Sequence, residues 1–141
     1  MQIRSVVKIN LERIDSGYGM LAKAGSHQVY LDNSEEFGGK DIGFRPMQLM
    51  LISLAGCSAI DIIYILEKGR YTIRNYSSEV RAARREEMPK IFEKIELIIT
   101  VDTDASDEVL ARALQLTKTK YCSAFAVLEA SATVNLSVVR G

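Results

Sequence analysis

Histidine occurs once in this chain, at His27, and cysteine only twice, at Cys57 and Cys122. The single histidine leaves a histidine-based triad one candidate with no obvious nucleophile beside it. His27 therefore reads as a strand residue without a chemical task. Two cysteines do not make a disulfide scaffold. No Gly-rich phosphate loop, His-Glu-x-x-His pair or Cys-x-x-Cys pair occurs, which removes three common signatures of nucleotide, zinc and dithiol chemistry. A His27–Cys57–Cys122 metal set would rest on three scattered ligands with no characteristic spacing, so no metal and no cofactor is expected.

Net charge is also missing. Lys plus Arg and Asp plus Glu stand at 18 each, so no global field draws the chain to nucleic acid. The densest basic cluster, Arg81, Arg84 and Arg85, runs straight into Glu86 and Glu87 and reads as a solvated turn. The opening residues, MQIRSVVKINLERI, lack the long apolar core of a signal peptide. A reducing cytoplasm is the expected location.

What is present is an ordinary globular composition over 141 residues, 48% apolar and 26% charged, without repeat, linker or low-complexity tract. A single domain is expected. Residues 2 to 14 alternate, with Ile3, Val7, Ile9 and Leu11 on one side, as a half-buried strand would. Further short strands are expected around Tyr18 to Lys23 and His27 to Asp32, then a glycine-containing loop from Asn33 to Phe44. Pro46 opens a long helix to about Lys68, with Gly69 as its left-handed stop. That segment is long enough for a membrane span, but Gln48, Ser53, Ser58 and Asp61 argue against one. A buried helix is expected instead. It is apolar almost all round, so one sheet cannot cover it and a partner subunit is the expected cover.

Asn75 to Arg84 and Ile91 to Asp102 alternate as a long hairpin, with Tyr76, Ser78, Val80 and Ala82 on one face of the first strand and Ile95, Leu97, Ile99 and Val101 on one face of the second. Ser106 caps a helix through about Lys118. The Cys122 segment, YCSAFAVLEA, opens another, and a last strand carries Ala132, Val134, Leu136 and Val138. The fold class is α+β, with helices on one face of antiparallel sheet.

The candidate chemistry lies with the thiols. A free cysteine is often a small core hydrophobe, but two thiols brought together can trap an oxidised sulfur as a disulfide. Cys122 opens a helix, which lowers a thiol's pKa, whereas Cys57 sits mid-helix and would need an outside cation. On that ground alone Cys122 would be the reactive thiol. Asp61, one turn after Cys57, is expected to anchor an arginine or to cap nearby backbone.

Three stretches, PMQLMLISLAGCSAIDIIYIL, RREEMPKIFEKIELII and LTKTKYCSAFAVLEASATV, together resemble the OsmC/Ohr family of small two-cysteine hydroperoxide reductases. The likeness runs from Arg45 to Val138. It implies an OsmC-like fold, an intertwined homodimer with its long helices crossing at the centre, and reduction of organic hydroperoxides without metal or haem. It also implies that Cys57 is the peroxidatic thiolate, that Cys122 resolves it as an intramolecular disulfide, and that a dithiol of lipoyl type reduces the pair. One departure stands out. Peroxidatic members place a glutamate just after the proline, paired with an upstream arginine. Here Met47 and Gln48 follow Pro46, and the loop offers only Arg45. The alternative reading is a non-catalytic OsmC-like dimer holding a small hydrophobic ligand in its interface pocket.

Overall fold

The computed structural model describes residues 6–141. Backbone packing divides the chain into two compact units, Met1–Leu49 and Met50–Gly141. The first unit carries three antiparallel strands in the order β1–β2–β3: β1 Asn10–Arg13, β2 Met20–Ala24 and β3 His27–Leu31. Of the alternation expected over residues 2 to 14, Gln2, Ile3 and Arg4 fall outside the described residues. Only Asn10–Arg13 pairs as strand, and Ile9 and Leu11 are exposed rather than half-buried.

The loop that follows is organised around Asp32. Its carboxylate accepts from the amides of Asn33 at 2.7 Å, Lys40 at 3.1 Å and Ile42 at 3.3 Å. Burial would raise its pKa, but those three amides and the Arg45 charge win and hold it below the usual carboxylate range. Gly43 is there because the Tyr30 backbone passes so close that a Cβ would lie 2.2 Å from its carbonyl oxygen.

The long helix, α1, runs Pro46–Lys68 as expected. Gln48 Oε1 accepts from the Arg45 amide at 2.9 Å, which satisfies a donor just ahead of the first turn in the manner of a capping box. The left-handed residue at the other end is Arg70, with φ 64°, not Gly69. Tyr71 N–H closes back onto Leu66 C=O at 3.0 Å, so the reversal falls one residue later than the glycine suggests.

In the second unit, β4 Ile73–Arg84 pairs antiparallel with β5 Phe92–Thr103. The hairpin is found as expected, and its register sets Tyr76, Ser78, Val80 and Ala82 opposite Val101, Ile99, Leu97 and Ile95. Then α2 Asp107–Leu116, capped by Ser106 Oγ on the Val109 amide at 3.2 Å, leads to a π-helical turn, Thr117–Tyr121, and α3 Ser123–Glu129. The final strand, β6 Thr133–Arg140, joins β5 in parallel, with Val134 beside Ile95 and Val138 beside Ile99.

The α+β class with a long helix is therefore found, while the expectation of antiparallel pairing fails at β6. The helical segment between β5 and β6 brings the chain back to the end where β5 began, and that return makes the pair parallel. The core lies on one face of β5, where Ile95, Leu97, Ile99 and Val101 are all buried.

Candidate active site

Of the 23 residues of α1, Leu54, Ser58, Ile62 and Leu66 are buried. Their spacing of four draws a single stripe along one side of the helix. Three of the four are aliphatic, and the serine marks where the stripe meets the thiols. Cys57 and Asp61, each one residue before a stripe position, are half-buried beside it.

Cys122 arrives from the other direction. The π turn ends with the Cys122 amide donating to Thr117 C=O at 2.9 Å, five residues back, while Thr117 Oγ1 donates to Ala113 C=O at 2.9 Å. Cys122 then takes the N-cap position of α3, and its sulfur accepts from the Phe125 amide at 3.3 Å. Ser58 Oγ lies 3.7 Å from the same sulfur.

These elements bring the two sequence-remote thiols together. Cys57 Sγ, Cys122 Sγ and an Asp61 carboxylate oxygen all lie within 4.8 Å of one another. The cysteines are unbridged, Cys57 half-buried and Cys122 buried.

The electrostatics reverse the expectation drawn from helix position. Burial pushes the Cys122 thiol up, and the neighbouring Cys57 adds to the rise. The Phe125 amide and Ser58 hydroxyl pull it down but do not prevail. A short helix behind the sulfur does not compensate for taking a thiolate out of water. Burial thus favours the protonated form of Cys122, and Cys57 is the thiol nearer solvent.

Asp61 does not follow its expected role. Its Oδ2 is buried with no hydrogen-bond partner among the described residues, and burial pushes its carboxyl above the usual range. The one-turn spacing from Cys57 was the available signal. It located the carboxylate but said nothing of what faces it. Ser58 was legible only as the polar member of an apolar stripe. Arg45, the loop arginine considered for a glutamate partner, is held by Asp41 at 2.7 Å and Gly43 C=O at 2.9 Å. His27 sits exposed where β3 pairs with β2, opposite Ala24.

A cavity of about 600 Å³ reaches Asp61 and is lined by Ile60, Tyr64 and Ile65 on α1 and by Leu116 and Tyr121. Its wall is mostly apolar, with Lys68 and Arg112 as the cations among its lining residues.

The sequence profile of OsmC-like proteins matches residues 38–137, a span that holds both cysteines and every element from α1 to α3. The chain belongs to the OsmC family. This OsmC-like chain is 36% identical over 115 residues to protein YhfA of Escherichia coli K12, covering 81% of this chain and 83% of that protein. A hypothetical protein of Aquifex aeolicus has the same fold, with a TM-score of 0.85, 28% identity and 98% of each chain covered. Further off is a Legionella pneumophila protein named an organic hydroperoxide resistance protein, OsmC. It superposes with a TM-score of 0.65 at 16% identity, over 96% of this chain and 98% of that one.

Proposed function

We propose that this chain is a cysteine-based hydroperoxide reductase in which Cys57 is oxidised and Cys122 resolves it. The observation that carries the reading is the meeting of two unbridged sulfurs within 4.8 Å, one half-buried and one buried. Membership of the OsmC family supports it, as does the hydroperoxide-resistance name of the Legionella protein that shares the fold.

The chemistry follows in two steps. The Cys57 thiolate attacks the terminal oxygen of an organic hydroperoxide, the O–O bond breaks, and the alcohol leaves with a proton, giving a sulfenic acid. Cys122 then attacks the Cys57 sulfur. Its proton and the sulfenic hydroxyl depart as water, and a disulfide forms. A dithiol of lipoyl type, oxidised in turn, restores both thiols, which suits a reducing, cytoplasmic setting.

Cys57 is the first nucleophile in this reading because it is the thiol nearer solvent, whereas Cys122 is buried and burial raises its pKa. The family's glutamate is replaced here by Met47 and Gln48, and Gln48 is engaged in capping α1, so activation of Cys57 falls to other groups.

The working form is a homodimer. Met50, Ile52, Ile60 and Tyr64 of α1 are exposed in the single chain, and a second copy is the cover that keeps such a helix in water. By length and composition α1 could cross a membrane, but its buried stripe and its carboxylate fit a protein interface better. No nucleic-acid role is proposed for a chain of zero net charge.

The direct test is consumption of cumene hydroperoxide with dihydrolipoamide as reductant. Cys57→Ser should abolish turnover, and Cys122→Ser should stop it after one equivalent. Full activity in Cys57→Ser would sink the proposal. A second reading, a binding module without turnover, draws on the mostly apolar cavity of about 600 Å³ that Asp61 lines. A hydrophobic molecule that copurifies with a chain inert to peroxide would favour it.

A further inference from the structure

The same corner of the fold has the donor set of a metal site. Cys57 and Asp61 project from adjacent turns of α1 and Cys122 caps α3, and one ligand atom from each lies within 4.8 Å of the other two. Asp61 Oδ2 is buried with no hydrogen-bond partner among the described residues. A carboxylate left in that state beside two potential thiolates needs a positive charge, or it must stay protonated.

We propose that the reduced chain binds one thiophilic divalent ion, best suited to Zn²⁺, through Cys57 Sγ, Cys122 Sγ and an Asp61 carboxylate oxygen. Two sulfurs select a borderline-soft ion over Mg²⁺ or Ca²⁺, which take oxygen donors. In a tetrahedral zinc site with Zn–S near 2.3 Å and Zn–O near 2.0–2.2 Å, the ligand atoms stand roughly 3.5–3.8 Å apart. A triangle no wider than 4.8 Å stands within about 1 Å of that spacing.

Three protein donors leave a fourth position, and the cavity that reaches Asp61 gives it room for water or an outside ligand. The Phe125 amide at 3.3 Å and the Ser58 hydroxyl at 3.7 Å from Cys122 Sγ would orient that thiolate, as outer partners do in metal sites. The site uses the sulfurs of the proposed peroxide reaction but does not depend on that reaction. Ion binding needs only reduced thiols, and it competes with oxidant for them.

The test is a titration of the reduced, metal-stripped chain with Co²⁺, free of oxygen, followed by thiolate-to-cobalt charge-transfer absorption and displacement by Zn²⁺. The result expected is one ion per chain with bands that Zn²⁺ removes. Cys57→Ser and Cys122→Ser should each lower the band to about half and weaken binding at least about tenfold. Asp61→Asn should keep the bands and weaken binding to a similar degree. Far-UV circular dichroism checks each variant's fold, and unsubstituted protein with both thiols alkylated should take up no cobalt. Absence of charge-transfer absorption in the reduced chain would overturn the site, as would undiminished binding in the cysteine variants or the alkylated chain. Unchanged affinity in Asp61→Asn would overturn the three-ligand arrangement. Peroxide consumption by the metal-free chain reports on the redox proposal separately, so the two fail independently.

Discussion

Strand β5 and helix α1 are both built from apolar residues, yet the chain treats them differently. Along β5, Leu97 is 1% exposed and Ile95, Ile99 and Val101 are fully buried. Along α1 one side chain per turn is buried, while Ile60 is 71% and Tyr64 54% exposed. The strand is finished by its own chain, because β4 and β6 flank it on both sides. The helix is finished only on the side that carries the thiols. Among the described residues, its other faces keep large apolar side chains such as Ile60 and Tyr64 exposed. The two thiols therefore lie beside the one buried stripe of a helix whose remaining faces are apolar and exposed.

The largest effect expected from this contrast is on the strand. Leu97→Ala removes a fully packed side chain and should cost about 2–5 kcal/mol of stability in denaturant unfolding. A loss below about 1 kcal/mol would show that β5 is less complete than its burial indicates. The matching change on the helix is Ile60→Asp. In unfolding of the dilute chain it should stay within about 0.5 kcal/mol, because Ile60 makes little contact inside the chain. In sedimentation it should shift dimer toward monomer by about tenfold or more in Kd. An unchanged association constant would remove α1 from the interface.

The smallest effect belongs to an imperfection in the sheet. The Tyr76 hydroxyl, on β4, is buried with no partner among the described residues, and burial pushes its pKa up to about 12. Tyr76→Phe should be neutral or stabilising, by about 1 kcal/mol at most. The pH dependence has a definite sign. Between the ordinary value of 10.0 and about 12, the unfolded chain loses this proton and the folded chain keeps it, so stability falls as pH rises through that window. Tyr76→Phe should flatten that alkaline decline. A decline of equal slope in the variant would assign it to other groups.

The elements that could be read from the chain were those whose signals are local. Pro46 and the apolar run after it place α1, and strict alternation places the β4–β5 hairpin and the residues that share each face. Ser106 caps α2 through its own side chain. What failed depended on contacts remote in sequence. The parallel pairing of β6 is decided by where α2 and α3 return the chain, which no alternation encodes. The left-handed turn landed on Arg70 because hydrogen bonding to Leu66 and Glu67 outweighed glycine's freedom next door.

At the site, resemblance supplied both cysteines, and residue spacing supplied Asp61 without its surroundings. The surroundings of Cys122 could not be read from position. A helix start favours the Cys122 thiolate, but only the fold reveals that this sulfur is buried and that burial raises its pKa.

The most direct measurement is peptide mapping under non-reducing conditions after the reduced chain meets one equivalent of cumene hydroperoxide. A Cys57–Cys122 link within one chain, with both free thiols gone, is the result predicted from sulfurs within 4.8 Å of each other. Two thiols still titratable after treatment, or oxidation that stops at Cys57 with Cys122 untouched, would contradict it.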